Sequence, residues 1–280
     1  MSSMIRTTLL LSLLAVLFVL AGSILGGQTG MIIALGFSLV MIWGSYWHSD
    51  KLVLRMYHAK EVSQAQAPEI YFIVRRLADR ANLPMPKVYI VDTPMPNAFA
   101  TGRDPSHAAV AVTTGITRIL DENELEGVLA HEMSHVKNRD TLTSAIAATI
   151  AGAITALASF AQWSLIFGGL SGDDEDGGNI AGLLLMVILA PLAATIVQLA
   201  ISRTREFEAD AKGAELCGNP TALASALSKL DRAASASKMD VNPSTAHMFI
   251  VNPLRGKALA SLFSTHPPTE ERINRLTAMR

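Results

Sequence analysis

The sequence has long stretches without charge and almost no capacity for disulfide bonding. Residues 7–48 contain no Asp, Glu, Lys or Arg, and residues 141–201 contain only the acidic group 173–176. A single cysteine, Cys217, excludes an intramolecular disulfide and a cysteine-rich metal cluster. The 23 basic and 24 acidic residues nearly balance, so the chain lacks the basic excess of a nucleic-acid-binding protein, and we predict no nucleic-acid partner.

All but five of the 47 charged residues lie in two polar segments, which alternate with two apolar ones. Half of the 280 residues are hydrophobic and only 17% are charged, a composition that excludes both a disordered chain and a single soluble domain. The alternation divides the chain into residues 1–48 and 141–201, which we assign to the membrane, and residues 49–140 and 202–280, which we assign to an aqueous compartment.

Each apolar segment is long enough for two membrane spans. A hydrocarbon core of about 30 Å needs roughly 20 apolar residues in a helix, which predicts spans over residues 7–25, 31–47, 142–167 and 181–201. Residues 26–30, rich in glycine, predict a tight turn between the first two helices. The alternatives are a cleaved signal peptide for the first apolar run and a buried soluble hairpin for the second pair.

Basic residues flank the outer ends of these spans and are missing from the loops inside each pair. By the positive-inside rule, this distribution predicts that both termini and both polar segments are cytoplasmic. The flanking residues are Arg6, Lys51, Arg55, Lys137, Arg139, Arg203 and Arg205.

The first polar segment predicts a small α+β unit. Apolar residues at helical spacing predict a helix over 68–81, and residues 86–91 and 108–113 have the composition of short strands. Between the strands, residues 93–102 are rich in turn formers and end in a predicted edge strand. An extended peptide can add to such an edge by backbone pairing; the alternative for this segment is a plain hairpin loop.

A helix that begins after Asp121, with Glu124 completing a capping box, carries the sequence His-Glu-Met-Ser-His. The imidazoles of His131 and His135 lie on one helical face and can bind one zinc ion, while Glu132 can act as general base. The alternative is a surface helix with two solvated histidines.

A catalytic zinc site needs a third protein ligand. Glu206 and Asp210 are four residues apart on a predicted helix after the fourth span, so Glu206 can ligate zinc while Asp210 hydrogen-bonds the other ring nitrogen of His131. The alternative is an amphipathic charged helix with i,i+4 ion pairs.

Four motifs, at residues 97–100, 131–135, 202–210 and 264–268, resemble those of the HtpX heat-shock membrane metalloproteases, relatives of the CAAX prenyl endoproteases. The resemblance implies a mainly α membrane protein with four transmembrane helices and a cytoplasmic α+β domain of the zincin type. It also implies a multi-pass zinc endopeptidase of the bacterial inner membrane that degrades misfolded or damaged membrane proteins under stress.

Carried over by position, the resemblance gives one Zn²⁺ per subunit, bound by His131, His135 and Glu206, with Glu132 as the base. By analogy with related zinc peptidases we predict His266 as the oxyanion donor, the alternative being an ordinary loop or cap residue. The predicted partners are misfolded membrane proteins and the lipid bilayer. Substrate would pair with the edge formed by Asn97, Ala98, Phe99 and Ala100.

Two rival functions stay open: a prenyl-protein protease, and a non-catalytic zinc-dependent membrane scaffold. Residues 233–257 can form a mobile lid or a partner surface, and neither the oligomeric state nor the identity of the individual substrates is predicted. If the zinc helix continues unbroken into the third span, the metal lies on the order of 10 Å from the hydrocarbon. A break at residues 138–140 would contradict that hypothesis.

Overall fold

A computed structural model of the chain describes residues 3–150, 203–236, 248–251 and 267–279. Most of these residues are helical, and a small mixed sheet lies in the first polar segment. The prediction of a mainly helical chain with a small sheet is therefore confirmed.

The first helix, α1 (Ser3–Met56), reverses direction near its middle. The rings of Phe18 and Phe37 lie 5.3 Å apart, whereas a straight helix rising about 1.5 Å per residue would separate these residues by about 28 Å. Gly27, midway between them, has a φ of 56°, a left-handed value that glycine adopts readily. The chain thus folds back as predicted, but residues 26–30 are themselves helical where a short loop was expected.

Gly27–His48 is the one segment of the described residues that is long and apolar enough to cross a bilayer. Thr7–Leu20 forms a shorter apolar stretch. Of the second predicted pair of spans, only residues 142–150 are described, and they are helical. The remainder, including the fourth span at 181–201, lies outside the described residues, so the four-span arrangement stays a prediction.

The sheet has the strand order β1-β2-β4-β3. Parallel pairing joins β2 to β4, and antiparallel pairing joins β1 to β2 and β3 to β4. The three predicted strands are present, with β3 at an edge, and the two-residue β1 was not predicted. The bounds are β1 Lys60–Glu61, β2 Lys87–Val91, β3 Ala98–Thr101 and β4 Ala109–Thr113, with a 3₁₀ turn at Pro105–His107 and a short helix, α3, at Thr114–Thr117.

Helices from both polar segments pack together on one face of the sheet. Their apolar stripes form a continuous buried core with the inward side chains of β2, β3 and β4. A second, smaller core on the opposite face joins Phe99 and Met248 to the end of α1 and to residues 145 and 148. The packed helices are α2 Pro68–Ala81, α4 Glu122–Asn138, α5 Arg203–Cys217, α6 Pro220–Ala236 and α7 Thr269–Thr277.

The helix that carries the two histidines ends before the third predicted span. Arg139 takes a left-handed conformation with φ of 58°, and its N–H donates to the carbonyls of His135 and Val136, which closes α4. Helical conformation resumes at residue 140. The hypothesis of an unbroken helix running from the zinc motif into the membrane is therefore wrong.

Candidate metal centre

The start of α4 is fixed by the predicted capping box. The Asp121 carboxylate accepts from the Glu124 N–H at 3.0 Å, and the Glu124 side chain accepts from the Asp121 N–H at 2.9 Å. Helical spacing then places His131 and His135 on one face, with their Nε2 atoms 3.2 Å apart. Both imidazoles thus direct the same nitrogen to one point.

Helix α5 brings Glu206 to that point because α4 and α5 approach closely. Gly213 permits the approach: a Cβ at this position would lie 2.8 Å from the backbone nitrogen of His131. Glu206 Oε2 lies 3.7 Å from His131 Nε2, and Glu206 Oε1 lies 3.5 Å from His135 Nε2. The Glu206 carboxylate is buried, so its charge needs a partner.

The donor set fits a zinc ion. One ligand atom from each of His131, His135 and Glu206 lies within 4.8 Å of the others. Bonds of about 2.0–2.1 Å in a tetrahedron require donors roughly 3.3–3.4 Å apart. The two Nε2 atoms lie 3.2 Å apart, and the two carboxylate oxygens of Glu206 lie 3.5 Å from His135 Nε2 and 3.7 Å from His131 Nε2, close to that value. Two imidazoles and a carboxylate leave a fourth position for substrate or water.

Glu132 lies beside these donors and is anchored to the edge strand. Its Oε2 accepts a 2.9 Å hydrogen bond from the backbone N–H of Ala100 in β3. Burial raises the pKa of Glu132 above its usual value, while the neighbouring histidines and the Ala100 N–H oppose the rise. A raised pKa is suited to a group that accepts a proton and later returns it.

A buried ion pair between Asp210 and Arg272 lies next to Nδ1 of His131. His131 Nδ1 lies 2.9 Å from Asp210 Oδ1, although the ring N–H is not aimed directly at that oxygen. Arg272 donates to both Asp210 oxygens at 2.8 and 2.7 Å. Burial alone would raise the pKa of Asp210, but the charge and hydrogen bonds of Arg272 outweigh it and lower the pKa to about 2. Asp210 therefore stays ionised beside His131.

A similar ion pair, between Asp140 and Arg205, lies next to Nδ1 of His135, and no sequence pattern predicted it. Asp140 Oδ2 lies 3.5 Å from His135 Nδ1, and Arg205 donates to Asp140 Oδ1 at 2.5 Å. Burial lowers the pKa of His135, but Asp140, Glu206 and Glu132 outweigh it and raise the pKa to about 9 in the metal-free protein. Asp140 follows the helix break, so helical spacing from His135 does not predict the contact.

The donors line a small cleft of about 50 Å³. Phe99 and Ala100 of the edge strand β3 form part of its lining, and the segment 248–250 forms another part. Thr141 and Ser144 also line the cleft.

The four residues predicted for substrate binding lie at this cleft in different ways. Phe99 and Ala100 line it, whereas Ala98 and Asn97 are buried. The Asn97 amide is engaged within the protein, where it donates to the carbonyl of Met248 and accepts from the N–H of Ile250, both at 3.3 Å. His266 lies outside the described residues.

Comparisons of the sequence with a family model and with individual known proteins agree with one another. Residues 64–280 match the family model described as peptidase family M48. The chain is 55% identical over 281 residues to a protease HtpX homolog of Desulfatibacillum aliphaticivorans, covering 100% of this chain and 91% of the relative. It is 59% identical over 275 residues to one from Thermodesulfovibrio yellowstonii, covering 98% of each.

Among solved structures, the crystal structure of S. mikatae Ste24p matches with a TM-score of 0.52 at 19% identity, over 98% of this chain. The chain spans 65% of the length of that protein. At this identity the likeness concerns the fold alone.

Proposed function

The chain belongs to peptidase family M48, a family of metalloproteases, and on this premise we propose that zinc is its metal and misfolded membrane proteins are its substrates. Its predicted resemblance to the HtpX proteases is confirmed by curated relatives that match along the whole chain. The observation that carries the proposal is the convergence of His131, His135 and Glu206 beside the buried carboxylate of Glu132.

When bound, zinc supplies a Lewis acid that polarises a peptide carbonyl and makes water more acidic. Glu132 accepts the proton of the attacking water and delivers it to the leaving amine. The Ala100 N–H holds one carboxylate oxygen of Glu132 at 2.9 Å, so the other oxygen, Oε1, is the one directed to the proton. We propose His266, which immediately precedes Pro267 and helix α7, as the donor to the oxyanion.

Asp210 and Asp140 hold the two imidazoles in the orientation that presents Nε2 to the metal. Such outer partners fix the tautomer of a metal-binding histidine and increase its basicity. Each of these carboxylates is itself held by an arginine, Arg272 or Arg205. The metal site therefore rests on two His–Asp–Arg chains, the one through Asp210 fully buried, rather than on its ligands alone.

The edge strand β3 supports the proposal that substrate binds by backbone pairing. Thr113 donates its N–H to the Asn97 carbonyl at 3.0 Å, and antiparallel pairing alternates, so Ala98 and Ala100 direct their polar groups away from β4. The bond from Ala100 to Glu132 agrees with that direction. A peptide paired along this edge would pass beside the base, and backbone pairing selects little by side chain.

The membrane assignment is supported by the apolar segment Gly27–His48 and by the basic residues at the outer ends of the predicted spans. We propose that the site faces the cytoplasm of a bacterial cell, close to the bilayer. Substrates would be segments of membrane proteins that leave the bilayer in an extended form.

The test compares Glu132→Gln with unsubstituted protein, purified in detergent, against an unfolded membrane protein. We expect cleavage to be abolished while one zinc per subunit, measured by elemental analysis, stays bound. Glu208→Gln is the matched control, because Glu208 is an exposed acid two residues from a metal ligand, and it should cleave normally. Unchanged cleavage by Glu132→Gln would contradict the proposed chemistry.

The same assay separates the two rival functions. A prenyl-protein protease would cleave only a prenylated C-terminal peptide and leave the unfolded membrane protein intact. A zinc-dependent scaffold would bind zinc but cleave neither.

A further inference from the structure

Part of the cleft lining is a short buried segment, 248–251, which we call the cleft wall. Its four residues are between 3% and 8% exposed, and three of them line the cleft. A cleft of about 50 Å³ holds only a few water molecules, so the position of this wall affects the space available to an extended peptide. What holds the wall therefore bears on substrate entry.

On the side of the sheet, the wall is held by Asn97. The Asn97 amide makes two hydrogen bonds with it, to the carbonyl of Met248 and from the N–H of Ile250. Both bonds are 3.3 Å long, and Asn97 has no contact with a metal donor in the described contacts. The Asn97 side chain therefore holds the wall without contacting the metal ligands.

On the side of α7, the wall is held by Arg272, which is 1% exposed. Its Nη1 donates to the Ile250 carbonyl at 2.6 Å, while Nε and Nη2 donate to the two oxygens of Asp210. Asp210 in turn lies 2.9 Å from His131. The Arg272 guanidinium thus contacts both the cleft wall and Asp210, the carboxylate that lies next to the metal ligand His131.

We propose that Arg272 is a positioning residue that couples the cleft wall 248–251 to the metal ligand His131 through Asp210. The proposal rests on the proposed metal site. When a substrate displaces the wall, Arg272 loses its Ile250 partner, and its contact with Asp210, and hence the orientation of His131, changes. Lysine carries its N–H donors on a single flexible nitrogen, whereas the three nitrogens of arginine form a fixed planar fork, so a lysine at this position should hold the two partners less firmly.

The experiment measures two quantities on each variant of the full chain in detergent. Zinc affinity is obtained by competition with a chelator, and mobility of the wall by amide hydrogen exchange over 248–251. The variants are Arg272→Gln, Arg272→Lys and Asn97→Ala. Glu270→Gln is the matched control, because Glu270 lies on the same helix and is exposed. Thermal melting of each variant reports whether it is folded.

For Arg272→Gln we expect zinc affinity to fall about 10- to 100-fold and amide exchange of the wall to accelerate. Asn97→Ala should accelerate exchange but leave zinc affinity within about twofold of the unsubstituted protein. Glu270→Gln should change neither quantity. If Arg272→Gln does not fold, Arg272→Lys takes its place, with faster exchange expected together with a smaller loss of zinc affinity.

The proposal is overturned if the Arg272 variants change only one of the two quantities, because a coupling residue must affect both. It is also overturned if Asn97→Ala lowers zinc affinity as much as Arg272→Gln does, since general loosening would then explain both effects. Failure of the unsubstituted protein to bind zinc is a separate result, and it would overturn the proposed function itself.

Discussion

Substitution of Gly213 by alanine should separate the two helices that supply the metal ligands. A Cβ at this position would lie 2.8 Å from the nitrogen and 2.9 Å from the Cα of His131, both backbone atoms. Carbon contacts are comfortable from about 3.5 Å, so α4 and α5 would have to move apart by roughly 0.6 to 0.7 Å. The atoms that clash belong to the backbone of His131 and cannot rotate away as a side chain would. The movement therefore displaces the metal ligand His131 itself.

The free energy of unfolding and the metal affinity should respond differently. Overpacking of this kind costs about 1–3 kcal/mol, and the better helix propensity of alanine offsets about 1 kcal/mol of that cost, so the net loss of stability is modest. A displacement of roughly 0.6 Å exceeds the tolerance of about 0.2 Å in zinc–ligand distances. We therefore expect zinc affinity to fall about 10- to 100-fold, comparable with the loss of an outer partner.

The assay is chelator competition for zinc, with cleavage of an unfolded membrane protein and thermal melting measured on the same samples. Gly127→Ala is the matched control, since a Cβ there would lie 3.0 Å from the backbone nitrogen of Leu223 in α6. The added methyl group of Gly127→Ala also crowds α4, but against α6, so the contact between α4 and α5 is unchanged. We expect this variant to have a lower free energy of unfolding and an unchanged zinc affinity. Zinc affinity and cleavage at the unsubstituted level in Gly213→Ala would refute the reasoning.

Three further predictions concern other parts of the chain. Asp140→Asn should lower zinc affinity about 10-fold, because it removes the charge facing His135; chelator competition checks this, and an unchanged affinity would remove Asp140 from the site. Cysteines placed at Phe18 and Phe37, with the native cysteine replaced, should crosslink readily, since the rings lie 5.3 Å apart; a straight helix would prevent the crosslink. Burial and a hydrogen bond to a carboxylate on β1 raise the pKa of Tyr89 to about 12. Ultraviolet titration should therefore detect a tyrosine that ionises near this pH, and Tyr89→Phe should remove that step. Because the protonated form is favoured in the folded protein, this stabilisation is present below about pH 10 and is lost as the pH rises through 12.

Local patterns in the sequence predicted the elements that carry the chemistry. The capping box at Asp121 and Glu124 sets where α4 begins, and an i,i+4 spacing is sufficient to place His131 and His135 on one face. The same spacing relates Glu206 to Asp210 on α5. The composition of residues 86–91 and 108–113 was sufficient to predict β2 and β4, and the turn formers in residues 93–102 indicated the edge strand β3.

Contacts between distant residues did not follow from these patterns. Asp140 reaches His135 only because Arg139 takes a left-handed conformation and ends the helix, and no periodicity predicts a helix end at an arginine. Asn97, predicted to bind substrate, instead holds a segment about 150 residues away in the sequence, because its side chain is directed into the protein.

The sequence by itself determined the class of chemistry, since zinc ligands, a base and apolar spans are properties of residue type and short spacing. It also determined that all but five of the charged residues lie in two segments, which follows from the order of the residues alone. The tertiary structure decided how the halves of the site meet, through the close approach of α4 and α5 at Gly213, and which residues support the ligands. The physical reason is that helical and strand periodicities act over a few residues, whereas the Asp210–Arg272–Ile250 contacts depend on how separate elements pack.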